Sequence, residues 1–583
     1  MTFLSPGADQ SGAHRARWGR FSALGVSLGT AILIVTPFFW LGNASGHDIA
    51  FHASSWLDVA GQWREGIVYP RWSEWANNGF GEPRFIFYPP LSWMLGAALG
   101  FVAPWGAVPA VFIVLVQTLA GISMFVLARR FLSSAIALFS AACYAANPYA
   151  LLVVYLRSDF AELLAWALLP MVLWAALELC GLTENGRRST SRMAAIFAFL
   201  FACLWLSNAP AGVISSYSMA LLFVWAAIRE KSFAPVGRGI CGLALGFGLA
   251  GFYLVPAVYE QRWVNIGQAL SSGLEPAQNF LYTTIDDPDH NAFNWIASSV
   301  AMVLMVLTAI AALLARSTSR NRDDGKAAGK LWPVMVLLGV AAVILMIRPS
   351  SILWELLPKL RFIQFPWRWM GVLAAPYAFF GAAAIARARG RWIWMSVVIV
   401  AVAGTATFLV RKAWWDSEDI PVLEDAIASG RGFDGTDEYD PISDDHTDLP
   451  GKAARLQILP AKGAEPLLPQ AEIRILRWTA EAKELSVMSP HPVRLAIRLL
   501  DYPAWRVEVN GRRVRPQSRE TTAQMILPLT AGTNRIELTF VRTPDRTLGG
   551  WLSAVSLLAL VAAFWGVPVR QFRKGSSTGQ VLL

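Results

Sequence analysis

Twelve apolar runs, each about 20 residues long, constrain what this chain can fold into more than any other feature. A helix of about 20 apolar residues is long enough to cross the hydrocarbon core of a bilayer. We therefore predict an α-helical polytopic membrane protein with about twelve spans. The predicted spans cover approximately residues 21–41, 107–128, 132–149, 161–180, 193–207, 210–228, 238–256, 297–315, 331–347, 369–387, 392–411 and 549–566.

Basic residues set the predicted orientation of the spans. The formal net charge is +10, but the lysines and arginines cluster in short loops, as the positive-inside rule expects of the cytoplasmic side. We attribute the charge to membrane topology and expect no nucleic-acid partner. Both termini, residues 1–20 and 567–583, are predicted to be cytoplasmic. The apolar stretch 91–102 is interpreted as an interfacial helix, because counting it as a span would place Arg129 and Arg130 outside.

Two large segments are predicted to lie outside the membrane, residues 42–106 and 412–548. The second opens with the acidic run RGFDGTDEYDPISDDH, residues 431–446. It continues with runs such as WRVEVNG and NRIELTF, whose alternation is typical of half-buried strands. Asn510 and Gly511 predict a two-residue hairpin turn, because both central positions need positive φ. We expect an extracytoplasmic antiparallel β-sandwich, without a disulfide framework, since all four cysteines fall within predicted spans.

The stretch GHDIAFH, residues 46–52, follows the first predicted span and contains the strongest candidate for a catalytic site. If a helix begins here, Asp48 and His52 share one face, whereas His47 points elsewhere. A carboxylate with an imidazole one turn away can act as a general base. Asp48 is therefore the catalytic candidate, and His47 and His52 are candidates for orienting Asp48 or the substrate.

The outer segment 42–106, called the first loop below, is rich in aromatic residues. One interpretation is a lining that stacks on sugar rings, and the other is an interfacial aromatic belt. We favour the belt for most of the rings and keep Tyr88, beside Pro89 and Pro90, as a substrate-binding candidate. The rings are Trp56, Trp63, Tyr69, Trp72, Trp75, Phe85, Phe87 and Tyr88.

Charged residues at predicted span ends give further candidates. Arg157, Asp159 and Glu162 stand where a charge is costly unless it faces a cavity or a partner, so they bind substrate or pair with each other. Arg157 could hold a carrier phosphate bidentately. Arg368, in QFPWRW, is a second cation for that phosphate, with snorkelling at a helix end as the alternative.

Five residues complete the candidates. Glu260 and Gln364, like Arg368, lie near the ends of predicted spans, and we interpret them as substrate-binding. Glu438, in the outer segment 412–548, could reach into a cavity between the spans together with Tyr439, or be a plain loop residue. His290, in DDPDH, has carboxylates nearby but no spacing typical of a metal site. No metal ligand is assigned, and a divalent cation stays open as a cofactor.

The first loop carries a family resemblance in its HD pair, its YPRW element and its GFGEP and FYPPL motifs. These motifs resemble the first outer loop of the GT-C superfamily of membrane glycosyltransferases. The closer resemblance is to bacterial membrane proteins labelled "6-pyruvoyl-tetrahydropterin synthase-related", and a more distant one is to the YfhO-like group. The resemblance continues, in order, through VYLRSDFAELLAWALLP, GFYLVPAVYEQRWV, RFIQFPWRW and DGTDEYDP.

The resemblance implies an activity and a site. GT-C enzymes take sugars from polyprenyl-phosphate carriers, and Asp48 matches their catalytic aspartate. The superfamily often has a second adjacent acidic residue, whereas Ile49 follows Asp48 here, which leaves Glu162 to supply a second carboxylate from another loop. We set pterin chemistry aside, because no three histidines are spaced for zinc. The resemblance also implies the plasma (inner) membrane of a bacterium.

These observations predict a function and two alternatives. We expect a GT-C-like transmembrane domain, residues 21–411, that moves a hexose or pentose from a polyprenyl-phosphate donor to an extracytoplasmic glycan, lipid or protein acceptor. Such a reaction would serve cell-envelope glycan assembly, with membrane lipids as the other partners and 549–566 as a final span. The alternatives are a non-catalytic envelope scaffold or sensor, and a lipid-glycan translocase, which would need polar residues at mid-membrane depth.

Overall fold

The computed structural model describes residues 7–183, 190–317, 323–387, 390–442, 449–460 and 471–565. Ten helices in this part of the chain are long and apolar enough to cross a membrane, and two bent helix pairs also pass as single spans. The predicted cytoplasmic tail, 567–583, and residues 443–448 of the acidic run lie outside the described residues.

Every predicted span overlaps one of these helices or helix pairs, which confirms the polytopic helical fold. The bent pairs are Ala234–Leu249 with Gly251–Trp263, at 75°, and Leu331–Met346 with Arg348–Leu356, at 91°. The last helix begins at Pro544, earlier than expected. The ten single helices are Phe21–Leu41, Trp105–Ala128, Ser134–Arg157, Phe160–Leu179, Thr190–Ser207, Ala209–Glu230, Pro288–Arg316, Pro366–Ala386, Arg391–Lys412 and Pro544–Trp565.

The apolar stretch 91–102 forms a helix too short to cross a bilayer. It runs Pro90–Leu99, ten residues, about 15 Å at the α-helical rise. It packs against the helix Ile49–Arg64 and against the helix that ends at Ala128. The expectation of a non-spanning helix fits this length, and the side of the membrane on which it lies stays a prediction.

The outer segment 412–548 contains the predicted antiparallel β-sandwich. Its strands are β3 Leu456–Pro460, β4 Glu472–Trp478, β5 Ala482–Ser489, β6 Val493–Leu500, β7 Trp505–Val509, β8 Arg512–Val514, β9 Gln517–Ser518, β10 Gln524–Leu529 and β11 Gly532–Phe540, while β1 Asn43–Ala44 and β2 Trp415–Asp416 form a separate pair. One sheet has four strands in the order β3-β6-β10-β9, and the other has five in the order β4-β5-β11-β7-β8.

Side chains from both sheets meet in one apolar core. Leu485 and Ile536 come from the five-stranded sheet, and Leu495 and Leu527 come from the four-stranded sheet. The hairpin prediction is confirmed, because β7 pairs with β8 across a turn whose two residues, 510 and 511, have φ of 53° and 75°. The β-rich region, formed by strands β3 to β11, contacts residues 42–106, for example through the Arg71 N–H, which donates to the Glu481 carboxylate at 3.1 Å. The side of the spans on which these two segments lie is called the β side below.

Most of the first-loop rings for which a membrane belt was expected lie in the protein core instead. Trp56, Trp72, Phe85 and Phe87 are buried. Trp72, for example, packs on Tyr502 of the β-rich region at a ring-centroid distance of 5.9 Å. The belt prediction is therefore wrong for these four rings, because protein rather than lipid covers this face of the loop.

The acidic run is docked into residues 73–82. The backbone N–H of Phe433 donates to the Trp75 carbonyl, and the Phe433 carbonyl accepts from the Asn78 N–H, both at 2.9 Å. The Thr436 N–H donates to the Glu82 carboxylate at 2.8 Å. A Cβ at Gly435 would lie 1.7 Å from an oxygen of the residue 77 side chain, so this close approach requires glycine.

A buried carboxyl stabilises the same loop. Asp58 accepts hydrogen bonds from Gln62 at 2.9 Å and from Ser73 at 2.7 Å. Burial raises the pKa of Asp58 from its ordinary 3.8 to about 7, although both hydrogen bonds oppose this change. Between these two values the folded protein holds a proton that the unfolded chain has lost, so the free energy of unfolding falls as pH rises.

Replacing Asp58 with Asn is expected to flatten this pH dependence. Melting temperatures of the full chain in detergent should fall between pH 4 and pH 7 for the natural protein, and less steeply for Asp58→Asn. Asp434→Asn, a change at an exposed position, is the matched control and should follow the natural protein. Equal slopes for the natural protein and Asp58→Asn would contradict the protonation of Asp58 in the folded state.

Candidate functional site

The HD pair lies directly against the break between two spans. The backbone N–H of Asp48 donates to the Arg157 carbonyl at 2.8 Å, and that of His47 donates to the Leu156 carbonyl at 3.3 Å. The N–H of Gly46 donates to the Ser158 hydroxyl at 3.1 Å. A Cβ at Gly46 would lie 2.4 Å from the Arg157 carbonyl carbon. Glycine at this position therefore allows Asp48 and Arg157 to lie side by side.

The break itself has a local sequence cause. Residues Val153–Arg157 form a π-helical turn, and Ser158 then adopts the left-handed conformation with φ of 55°. Asp159 caps the next helix, because its carboxylate accepts from the Glu162 N–H at 2.9 Å. An acid at the N-cap with a glutamate three positions later is a sequence signal for a helix start.

Arg157 is the centre of a buried ionic cluster. Its guanidinium donates to Asp48 at 2.6 Å, to Glu162 at 3.1 Å and to Asp159 at 3.3 Å. Arg368 donates to Glu162 at 3.2 Å and lies 3.6 Å from Asp159. Arg157 thus pairs with Asp159 and Glu162, which is one of the two interpretations given above, and the structure adds Asp48 and Arg368 to the same cluster.

One carboxylate of the cluster differs from the others in exposure. The Asp48 side chain is 33% exposed, whereas those of Asp159 and Glu162 are 4% and 1% exposed. Three carboxylates face two guanidinium groups, which leaves one negative charge before any charge on His52 is counted. The accessible part of this cluster is therefore a carboxylate held by a buried arginine.

Buried neighbours hold the rest of the cluster in place. The Tyr149 hydroxyl and the Trp166 indole N–H both donate to Glu162, and sequence reasoning did not name either residue. His52 lies with its Nε2 3.5 Å from Asp159. Burial acts to raise the pKa of Asp159, but His52 and the two arginines hold that pKa below its ordinary value. Asp159 is therefore ionised at neutral pH.

His47 and Gln364 lie at the edge of the cluster. The His47 ring packs on Phe293, with centroids 4.6 Å apart. Partial burial and the Arg157 charge lower the pKa of His47, although Asp48 opposes this change, so the ring is neutral at pH 7. Gln364 has φ of 67°, accepts from Arg368 at 3.3 Å and donates to the residue 269 carbonyl.

Tyr88 packs beside His52. Its ring contacts Phe51 at a centroid distance of 4.6 Å and His52 at 5.9 Å. Glu438 is in the short turn Asp437–Tyr439 of the docked acidic run. Burial raises the pKa of Glu438 to about 7, and nearby acidic groups act in the same direction.

Glu260 belongs to a different cluster. Arg546 donates to its two carboxylate oxygens at 2.7 and 2.9 Å, and the Tyr502 hydroxyl donates at 2.5 Å. This contact joins a bent span, the last helix and the β-rich region. The structure does not bring Glu260 to Asp48, and its substrate-binding role stays a prediction.

No group of three or more His, Cys, Asp or Glu side chains is arranged for a metal ion within the described ranges. His290, the weak metal candidate, contacts Asn279 through its ring nitrogen at 3.0 Å. Whether a divalent cation serves as cofactor stays open.

Comparison with protein families gives one match, to the 6-pyruvoyl-tetrahydropterin synthase related domain of membrane proteins, over residues 85–414. This range is more than half of the chain. The protein belongs to this PTPS-related family. The range matched by the PTPS-related profile contains Arg157, Glu162 and Arg368, and it begins after Asp48. A search of curated proteins finds no match.

Two kinds of solved structure are similar to this PTPS-related protein. Arabinofuranosyltransferase AftD from Mycobacteria is 17% identical with a TM-score of 0.40, over 67% of this chain and 27% of that chain. The Archaeoglobus fulgidus oligosaccharyltransferase, tethered with an acceptor peptide, is 12% identical with a TM-score of 0.40, over 69% and 55%. The chain thus spans about a quarter and about half of their lengths. The predicted resemblance to the PTPS-related family is confirmed.

Proposed function

We propose that this protein is a membrane glycosyltransferase that moves a sugar from a polyprenyl-phosphate carrier to an acceptor, with Asp48 as general base. The observation that supports the proposal most is the Asp48 carboxylate, part-exposed and fixed by a buried ionic cluster. A cluster in which Asp159, Glu162 and Arg368 are all buried is costly to assemble, and such charges near membrane spans typically mark functional sites.

The proposed reaction is a single displacement at the anomeric carbon of the donor sugar. Asp48 takes the proton from an acceptor hydroxyl while that oxygen attacks the anomeric carbon of the donor sugar. The bond between the anomeric carbon and the phosphate oxygen breaks, the electron pair leaves with the polyprenyl phosphate, and the configuration inverts. A base in this role contributes roughly 10²- to 10⁴-fold in rate.

Arg157 has two tasks in this proposal. Before the reaction it fixes the Asp48 carboxylate, and its donors point to carboxylates rather than to an open anion site. Protonation of Asp48 neutralises one of the three carboxylates that contact the Arg157 guanidinium. The guanidinium can then stabilise the charge that develops on the leaving phosphate. Arg368, buried beside the same carboxylates, adds to this positive potential.

We further propose that the β side of the membrane is extracytoplasmic and that the acceptor is a glycan, lipid or protein of a bacterial envelope. His47, neutral beside Asp48, would orient the acceptor, and His52 would fix Asp159. A translocase remains the alternative from another class, and a non-catalytic scaffold or sensor is the other.

Transfer from a panel of radiolabelled polyprenyl-phosphate sugars in proteoliposomes tests the proposal. We expect at least one donor to lose its label to a product, and a parallel series with a chelator decides whether a divalent cation is needed. No transfer from any donor, combined with movement of a lipid-linked sugar across the bilayer, would contradict the enzyme and support the translocase.

A further inference from the structure

A cavity of about 650 Å³ lies between the helices Phe21–Leu41 and Trp105–Ala128. Ligand pockets typically have volumes of roughly 300–1,000 Å³. Four apolar side chains from the two helices form the walls, and two arginines that follow the second helix complete the lining. The lining residues are Ala23, Ile122, Phe125, Val126, Arg129 and Arg130. A single ligand can therefore contact apolar walls and cationic groups together.

This cavity lies at the opposite end of the spans from the ionic cluster. The first loop, residues 42–106, connects the other ends of the same two helices, and it contains Asp48. Ala23 lies about 18 residues before Leu41, which is roughly 27 Å along a helix. The cavity is therefore on the side opposite the β side, and its ligand is neither the donor nor the acceptor of the proposed site.

Close helix packing closes the cavity toward the middle of the spans. A Cβ at Gly121 would lie 2.4 Å from the Ser27 hydroxyl oxygen, so the two helices touch one turn inward from Ala23 and Phe125. The cavity extends from this contact toward the two arginines, where the second helix ends. Its apolar walls thus lie within the spans and its cations lie at the span ends, which is the order of the parts of a lipid.

The two arginines differ in their partners. Arg130 lies 3.6 Å from the Glu178 carboxylate and 5.5 Å from the Trp174 ring centroid. Arg129 is exposed, and its guanidinium lies 5.8 Å from the ring of Phe125, a wall of the cavity. No carboxylate of the described ranges lies within ion-pair distance of Arg129. Two arginines and one carboxylate leave one positive charge, which matches the single negative charge of a phosphodiester.

We propose that this cavity binds a phospholipid with an anionic headgroup, such as phosphatidylglycerol. The phosphate lies at Arg129 and Arg130, and an acyl chain covers the apolar walls. Basic pockets between membrane helices typically bind anionic headgroups on the cytoplasmic side, and the arginine fork suits phosphate oxygens. A soluble phosphate would leave the apolar walls without a partner, so a lipid is favoured. The site does not depend on the proposed glycosyltransferase function.

Lipid binding to the full chain tests the proposal. The purified chain in detergent micelles is titrated with phosphatidylglycerol, and native mass spectrometry counts the bound lipid. Phosphatidylcholine, which has no net charge, should bind more weakly. Arg129→Gln should raise the apparent dissociation constant for phosphatidylglycerol roughly 5-fold, the effect of one basic residue at a membrane surface. Val126→Trp keeps both arginines but fills part of the cavity, so it should also weaken binding.

Arg229→Gln is the matched control. Arg229 is exposed and lies over the Trp225 ring, 5.2 Å from its centroid, near the end of another span, so this variant should bind like the natural protein. Equal loss in Arg129→Gln and Arg229→Gln, or normal binding by a folded Val126→Trp, would overturn the site. Equal affinity for the two lipids would also overturn it, as would displacement of phosphatidylglycerol by an equal concentration of glycerol 3-phosphate, which would indicate a soluble ligand.

Discussion

Arg157→Met is expected to destabilise the protein by about 3–5 kcal/mol, the cost of breaking a buried ion pair by removing one partner. Arg157 is 4% exposed and holds three carboxylates within 3.3 Å. Methionine fills similar space but removes one of the two guanidinium groups that contact Asp159 and Glu162. Their mutual repulsion would then act in a poorly solvated site. The free energy of unfolding of the full chain in mixed micelles measures the change.

Arg262→Met is the matched control for this prediction. Arg262 is exposed and lies over the Tyr259 ring, 3.7 Å from its centroid. Its removal should change the free energy of unfolding by less than about 1 kcal/mol, as is usual for surface charges. Equal effects of the two substitutions would contradict a central structural role for Arg157.

Asp48→Asn is expected to lower the rate of sugar transfer by roughly 10²- to 10⁴-fold, because asparagine cannot take the proton of the acceptor. The fold should tolerate the change. The Asp48 side chain is 33% exposed, and Arg157 keeps its contacts to Asp159 and Glu162. Initial rates in proteoliposomes and melting temperatures in detergent measure the two effects. A loss of rate that follows a loss of folded protein would contradict a chemical role for Asp48.

The sequence predicted the membrane fold well because hydrophobic length is a local property. Each span needs only about 20 apolar residues in a row. The Asn510–Gly511 turn was equally local, since positive φ at two adjacent positions favours these residue types. The start of the last helix at Pro544 was missed because its first turn is polar, and proline at a helix start is favourable.

The rings of the first loop show where local patterns fail. A tryptophan near a span end looks the same whether lipid or protein covers it. Trp72 is buried because the β-rich region, more than 400 positions later in the chain, packs over it. Only a long-range contact distinguishes the two cases, and hydropathy does not contain it.

Only part of the cluster was predicted, since pairing was considered among Arg157, Asp159 and Glu162 but not between these residues and Asp48 or Arg368. Asp48 and Arg157 lie 109 positions apart, and nothing local indicates that their backbones pair. Two features of the sequence were consistent with that geometry. Gly46 stands next to the HD pair, and Glu162 follows Asp159 at the spacing of a helix N-terminus. Like Arg368, Glu260 is a charged residue near the end of a predicted span. Its partners, however, are Tyr502 in the β-rich region and Arg546 in the last helix, away from Asp48.

The most direct test of the central claim is sugar transfer with and without the Asp48 carboxylate. Single-turnover transfer from a radiolabelled polyprenyl-phosphate sugar would be compared in proteoliposomes that contain the natural protein, Asp48→Asn or Asp434→Asn. The account predicts transfer by the natural protein and by Asp434→Asn, and none on the same timescale by a folded Asp48→Asn. Equal transfer by a folded Asp48→Asn would contradict it.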